Sequence, residues 1–408
     1  MVSVNPAASG ESTREKSGIA LSLSGGGFRS ALFHLGALRR LNELGVLSRV
    51  DTISSVSGGS ILAAYILERM QPWPNVGSTF SDWEERVGMP FKALTSRNLR
   101  TWPLLKRWVR PWKWFNSGTA IASLAKKLEK DITELSISRL PARPRFVFCA
   151  TDMVFGANWI FEKARIGDEK AGYVSPAPDW PVALAVAAST CFPPAFGPMP
   201  IQVLAPFLQG GTCQGEERQK LLSGLRLTDG GVHDNLALDA IWDDHQILIV
   251  SDGGAPFNPD GSTNFFRQIK RYLDLIGSQG TALRKRWLLS RFQTGSSQGT
   301  YWGIRSATAN YPDAQTGYPE DLAEEFISTI RTDFDAFSQA EIKVLENQGY
   351  LVAEAAAQSH LRELIRLNPA RLEVPHPEWM DESRVRHSLR ASSKRTLLGH
   401  GWPVSLRR

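Results

Sequence analysis

Three cysteines are too few to staple a chain of 408 residues, and an odd number leaves one without a partner. Cys149, Cys191 and Cys213 lie too far apart for metal-ligand spacing, so neither a disulfide framework nor a cysteine metal module is encoded. No apolar run reaches the roughly 18 residues a membrane-spanning helix needs. Met1 to Gly18 is polar and lacks the apolar core of a signal peptide. The chain has seven histidines, and none follows a clear strand in the manner of a hydrolase triad. His34 falls in a helical pattern, where packing is the expected role; His360, His376, His387 and His400 fall in a polar C-terminal region. Internal repeats and long low-complexity tracts are also missing. These absences point to a cytoplasmic protein that needs no cofactor or metal.

What is present is a chain with 42% hydrophobic residues, enough to bury a large core. Strand and helix signals alternate from residue 19 to about 255 without a clean linker, which reads as one α/β domain with insertions.

Two glycine-bearing turns carry the chemistry. Ile19 to Ser24 alternates apolar and small residues, as a short strand does. Gly25, Gly26 and Gly27 follow, then Leu32, Leu35, Leu38 and Leu41 recur at helical spacing until Gly45 stops the helix. A glycine loop opening a helix can hold an anion on free backbone N–H groups. A dinucleotide phosphate would be one such anion, but the third fingerprint glycine is Ser30, and Asp51 begins the next apolar run rather than ending it. In that next run a strand over Thr52–Ser55 meets Ser57-Gly58-Gly59, and a helix follows. Ser55-Val56-Ser57-Gly58-Gly59 has the form of a nucleophile elbow with serine at its first glycine. The plain alternative is a Ser/Gly-rich turn. If the two strands are parallel neighbours, both loops share one sheet edge, and the first can supply oxyanion donors to a serine on the second.

A serine nucleophile needs a base. In "GLRLTDGGVHDN", Leu225, Leu227 and Asp229 alternate before Gly230-Gly231, so a carboxylate stands at a strand end where it can reach into a site. A structural aspartate in a turn would look the same.

In ordered blocks, the chain resembles the patatin-like phospholipases, which are related to the cytosolic phospholipase A2 catalytic domain. Gly25-Gly26-Gly27-Phe28-Arg29-Ser30 is similar to the family's oxyanion loop, Ser55 to Gly59 to its elbow, and Asp229-Gly230-Gly231 to its Asp-Gly-Gly motif. "CATDMVFGANWIFEK" (Cys149 to Lys163) looks like its central strand pair, and "AVAASTCFPPAFGPM" (Ala185 to Met199) like its helix-to-loop block. The likeness spans roughly residues 17 to 260, with Ser55 standing where the family usually has glycine.

The resemblance implies a three-layer α/β/α hydrolase with a mainly parallel central sheet and helical insertions. It implies Ser57 as nucleophile and Asp229 as general base, without a histidine between them. Gly25, Gly26, Gly27 and Gly58 become oxyanion donors. Arg29 becomes a substrate-binding cation, with fixing the loop as its alternative. The expected activity is lipid acyl hydrolysis of the phospholipase A or lysophospholipase type, on phospholipid or lysophospholipid. The alternatives are an acyltransferase using the same dyad and a weak or inactive lipid-binding module, the latter motivated by Ser55.

Charge is unevenly spread. From Lys92 to Lys127 stand nine Lys/Arg and no Asp/Glu, interleaved with Trp102, Trp108, Trp112 and Trp114. Tryptophan and lysine together suit an anionic membrane surface, and a peripheral membrane contact is expected here. A packed cap insertion is the plainer alternative; a nucleic-acid partner is not expected. The expected boundaries are a flexible N-terminus over 1–16, a catalytic domain over 17–365 and a basic tail over 366–408. The domain includes an insertion at about 72–140 and a mainly helical part at 261–365, whose second half is broken near Gly349.

Overall fold

The computed structural model describes residues 16–97, 118–192, 197–257, 265–312, 314, 316–390 and 392. The four tryptophans of the basic insertion, the paired prolines Pro193 and Pro194, and most of the C-terminal tail lie outside the described residues.

Ten strands form one sheet: β1 (Ile19–Leu23), β2 (Thr52–Val56), β3 (Arg145–Asp152), β4 (Asn158–Phe161), β5 (Ile166–Asp168), β6 (Gly172–Val174), β7 (Met199–Pro200), β8 (Arg226–Asp229), β9 (Ile247–Asp252) and β10 (Gln298–Gly303). The order is β10-β9-β1-β2-β3-β4-β5-β6, with β8 on β3 and β7 on β8. The five strands from β10 to β3 are parallel, and β4 to β6 add an antiparallel extension. Helices flank both faces, giving the expected α/β/α layering.

The alternation in β1 sorts its residues between two unequal layers. Leu21 and Leu23 point into the main core with α1 (Gly27–Glu43) and α2 (Gly58–Arg69). Ala20 and Ser22 face the other side, where the segment after β8 packs closely and the Ser22 hydroxyl donates to the Leu236 carbonyl. On the main-core side also lie α3 (Gly118–Asp131) and α4 (Val182–Ser189). Beyond β8 come the short α5 (Gly231–Asp234), the long α6 (Phe265–Gln293), α7 (Gln339–His360) and α8 (Glu382–Leu389).

Three expectations about the C-terminal half need correction. Residues 298–303, read as part of a mainly helical region, form the edge strand β10, parallel to β9. Gly349 does not break a helix; it lies within α7. A Cβ there would sit 1.8 Å from the Phe33 carbonyl oxygen, and one at Gly36 of α1 would sit 1.9 Å from that of Glu346. The two glycines let α1 and α7 cross in backbone contact, and the gain in packing outweighs glycine's helix penalty of about 1 kcal/mol. The tail boundary at 366 is also too early. Trp379, Val385 and Leu389 are buried in the main core, and the Ser392 hydroxyl bonds Glu341.

Candidate active site

The site is built where two strands meet end to end. Val56, the last residue of β2, lies opposite Cys149 of β3, and Asp229, the last residue of β8, lies opposite Ala150. Ala150 also pairs with Trp159 of β4, so β8 must occupy the other edge of β3, the one β2 uses. β2 and β8 therefore run toward each other along one edge of β3 and stop at adjacent residues. The chain leaves β2 at Ser57 and β8 at Gly230, which brings Ser57 and Asp229 face to face.

Ser57 has φ 51° and ψ −117°, a conformation non-glycine residues adopt only under constraint. Its own N–H supplies part of that constraint, donating to the Ser189 hydroxyl at 2.9 Å. Ser189 in turn donates to the Cys149 carbonyl at 2.6 Å and meets the Ser60 hydroxyl at 2.9 Å. One hydroxyl thus ties the elbow to β3 and to α2. Small neighbours are required as well: a Cβ on Gly58 would fall 2.0 Å from the Gly27 carbonyl oxygen. Ser55, the departure from the family pattern, keeps regular register with Leu23 and Phe148. Its hydroxyl contacts the Val147 carbonyl at 3.4 Å and accepts from Ser60 at 3.1 Å. The strand absorbs it with its polar atom satisfied.

The Asp229 carboxylate accepts the Gly231 N–H at 2.8 Å, and the neighbouring Ser57 hydroxyl adds a second influence that favours its ionised form. Burial outweighs both and pushes its pKa up to about 6. Four of the six described histidines are held by partners away from Ser57. His34 is buried between the Ser251 hydroxyl and the Ser24 carbonyl, with its pKa pushed down to about 4 by burial. His233 faces Asp239, His245 faces Thr52, and His376 faces Glu346.

The glycine loop closes the corner. β1 and β2 are parallel neighbours with Leu23 opposite Ser55, so the loop and the elbow do share one edge. α1 and α2 both begin here, and neither has a side-chain cap at its N-terminus. By contrast α7 carries a full capping box from Ser338 and Glu341. Uncapped N-termini leave backbone donors and partial positive charge at the corner that holds Ser57. The donor set expected from sequence needs one correction: the Gly25 N–H is already spent on the Asn235 carbonyl at 3.0 Å. Gly25 positions the loop, and its missing side chain leaves room for Asn235 and Ser57.

Arg29 is the larger correction. It is 2% exposed, and its guanidinium donates to three backbone carbonyls: Gly253 at 2.9 and 3.3 Å, Ser328 at 2.8 Å and Ile330 at 3.0 Å. Desolvation lowers its pKa to about 10, with Asp252 opposing. Arg29 is a strut that fastens the first turn of α1 to the end of β9 and to the 328–330 segment, and it has no reach toward a substrate. Sequence reasoning missed Ser189 and Asn235. Asn235 stands within the quoted "TDGGVHDN" block and Ser189 within "AVAASTCFPPAFGPM", but only the fold brings the Asn235 carbonyl to Gly25 and the Ser189 hydroxyl to the Ser57 N–H.

The protein is thus a three-layer α/β protein in which a strained strand-to-helix serine and a buried aspartate share one corner. It belongs to the patatin-like phospholipase family, a family of lipid hydrolases, whose model matches residues 21–242, just over half the chain. Among solved structures the chain is similar to human GIVD cytosolic phospholipase A2, at 9% identity over 85% of this chain and 62% of that one, with a TM-score of 0.46. The complex of that human enzyme with methyl gamma-linolenyl fluorophosphonate gives 10% identity over 85% and 59%, with a TM-score of 0.47. VipD from Legionella pneumophila gives 13% identity over 85% and 67%, with a TM-score of 0.35. The chain spans about three fifths of the length of the human structures. No curated protein sequence matches it. Among the described residues no helix is long and apolar enough to cross a membrane.

Proposed function

We propose that the protein is a lipid acyl hydrolase of the phospholipase A or lysophospholipase type, working through a Ser57–Asp229 dyad. The observation that carries this reading is the placement of the strained, buried Ser57 against the buried Asp229 carboxylate where β2 and β8 meet along β3, beside two uncapped helix N-termini.

In this mechanism Ser57 Oγ attacks the ester carbonyl carbon while its proton passes to Asp229. The oxygen that gains charge is held by N–H groups of Gly26, Gly27 and Gly58. Collapse of the tetrahedral species breaks the bond to the alcohol, which leaves with the proton from Asp229. Water then attacks the acyl-enzyme, Asp229 takes its proton, and the fatty acid departs as Ser57 is reprotonated. A carboxylate with a pKa near 6 is a better base than an ordinary aspartate and is still ionised at neutral pH. The catalytic body runs from residue 17 to about 392, with the basic insertion as part of it.

Labelling with a serine-directed fluorophosphonate, followed by peptide mapping, tests the nucleophile. The label should fall on Ser57 and disappear in Ser57→Ala and Asp229→Asn. Label at another serine, or turnover surviving in Ser57→Ala, would sink the dyad. Profiling of lipid products separates hydrolysis from acyl transfer.

A further inference from the structure

The long helix α6 outgrows the sheet it packs on. Its 29 residues extend about 43 Å at 1.5 Å per residue, whereas the six residues of β9 extend about 20 Å. The C-terminal half is anchored. Leu288 is fully buried, Arg291 donates to the Trp242 carbonyl at 2.7 Å, and Arg284 reaches Asp239 at 3.0 Å. Those partners lie between the end of β8 and the start of β9, so the helix is fastened from the foot of the sheet up to the level of the Asp229 turn. The next residues toward its N-terminus continue past the corner: Arg271 stands about 20 Å of helix beyond Arg284. There it covers the ring of Phe257, five residues after β9 ends on the same edge as the site.

The overhanging half and the outer side of the anchored half expose apolar groups. Tyr272, Leu275, Ile276, Leu283 and Trp287 fall on one stripe, with Ile276 70% and Tyr272 64% exposed. Met153, Phe192, Val232 and Phe257 are also exposed, just beyond the ends of β3, α4, β8 and β9, with Val232 in the short α5. The α6 sequence holds seven Lys/Arg, namely Arg267, Lys270, Arg271, Arg284, Lys285, Arg286 and Arg291, against the single acid Asp274. An apolar stripe bounded by tyrosine and tryptophan on a strongly basic helix has the composition of a helix lying in a lipid interface.

We propose that the α6 stripe seats the protein on an anionic lipid surface, with the active-site corner beside the contact. The occupant is lipid rather than another protein because, with Arg284 and Arg291 paired to acids of the protein, the overhanging half still holds Arg267, Lys270 and Arg271 against the single acid Asp274, a balance complementary to an anionic surface. This contact is separate from the tryptophan-rich insertion. The proposal rests on the hydrolase reading only for the reason the contact lies beside this corner.

The test is co-sedimentation of the full chain with phosphatidylcholine vesicles, with and without phosphatidylglycerol. Binding should require the anionic lipid and weaken with salt. Ile276→Glu with Leu283→Glu should lower vesicle affinity at least tenfold and leave hydrolysis of a small soluble ester unchanged. Both residues are exposed, so the fold should survive; Ile276→Ser with Leu283→Ser is the milder pair should the charges disturb it. Wild-type vesicle affinity in both pairs would overturn the proposal. So would a wild-type dimer that these changes dissociate while vesicle binding persists, which would make a second copy the occupant. Loss of soluble-ester hydrolysis in Ser57→Ala bears on the dyad alone, because sedimentation requires no turnover.

Discussion

The active-site corner and the overhanging half of α6 break the ordinary burial rule in opposite directions. At the corner, polar groups are inside: Ser57 and Asp229 are 6% and 5% exposed, and Arg29, His34, Ser55 and Ser189 are buried around them. On α6, apolar groups are outside. A buried polar group costs free energy unless its partners are supplied, and the corner supplies them for almost every atom. The arrangement is therefore rigid and over-determined, and it can hold Ser57 at a positive φ. An exposed apolar stripe costs less while water covers it, but it favours a partner that removes that water. In the proposed mechanism the first region presents donors and a base at fixed positions. The second, as proposed, meets a lipid surface.

Breaking the corner should have the largest effects. Asp229→Asn keeps the shape but removes the proton acceptor, so turnover should fall by about 10⁴-fold, as for loss of a base in other serine hydrolases. Vesicle sedimentation of the same variant should be unchanged. A parallel loss of vesicle binding would erase the distinction between the two regions.

Gly26→Ala tests the loop. Gly26 has φ 138°, and a Cβ there would lie 2.8 Å from the Gly253 carbonyl oxygen. The loop must shift, and kcat should drop about 100-fold, the size of a lost oxyanion donor. Unchanged kcat would remove the loop from the mechanism.

Arg29→Met asks whether this arginine is strut or ligand. Leaving three buried carbonyls without a donor should cost about 2–4 kcal/mol of stability, read by urea denaturation. The KM of whatever folds should stay near the wild-type value. A raised KM at undiminished stability would restore the substrate-binding role.

The pKa of Asp229 predicts a pH dependence with a definite sign. Because the carboxylate must be ionised to act, kcat/KM should fall about tenfold per pH unit below about 6. The stability effect runs the other way. The folded chain holds this proton to a higher pH than the unfolded chain, whose aspartate titrates near 4. The group therefore lowers stability progressively from about pH 4 to 6, and by about 3 kcal/mol above that range. Asp229→Asn should be more stable than wild type at pH 8, with the difference gone at pH 4. An inactive variant that is less stable at pH 8 would mean that the influences of Ser57 and Gly231, not burial, dominate.

Ser55→Gly should do least. Its hydroxyl is satisfied and its backbone is ordinary strand, so stability should change by no more than about 1 kcal/mol, with activity within a few-fold. A large gain in kcat would show that Ser55 holds the elbow away from its working geometry.

Local rules were enough to read the two strand–loop–helix units from the sequence. Glycines at Gly26, Gly27 and Gly58, a serine between strand and helix, and a period change from two to 3.6 are all near-neighbour properties. The same rules put Asp229 at a strand end. They did not find β10, whose six residues follow a long helical run and gain their strand pairing only from β9. They misread Gly349, because a glycine that permits a helix crossing looks, along the chain, like one that ends a helix. Only tertiary structure decided that β2 and β8 meet head-on along β3, that Ser189 and Asn235 serve the site, and that Arg29 is a strut. Each of these depends on which distant backbone group lies within about 3 Å, and on how much water that approach removes. Sequence spacing sets the conformation each segment can adopt. The partners it meets, and hence the charge and free donors left at the site, are set by packing between segments far apart in the chain.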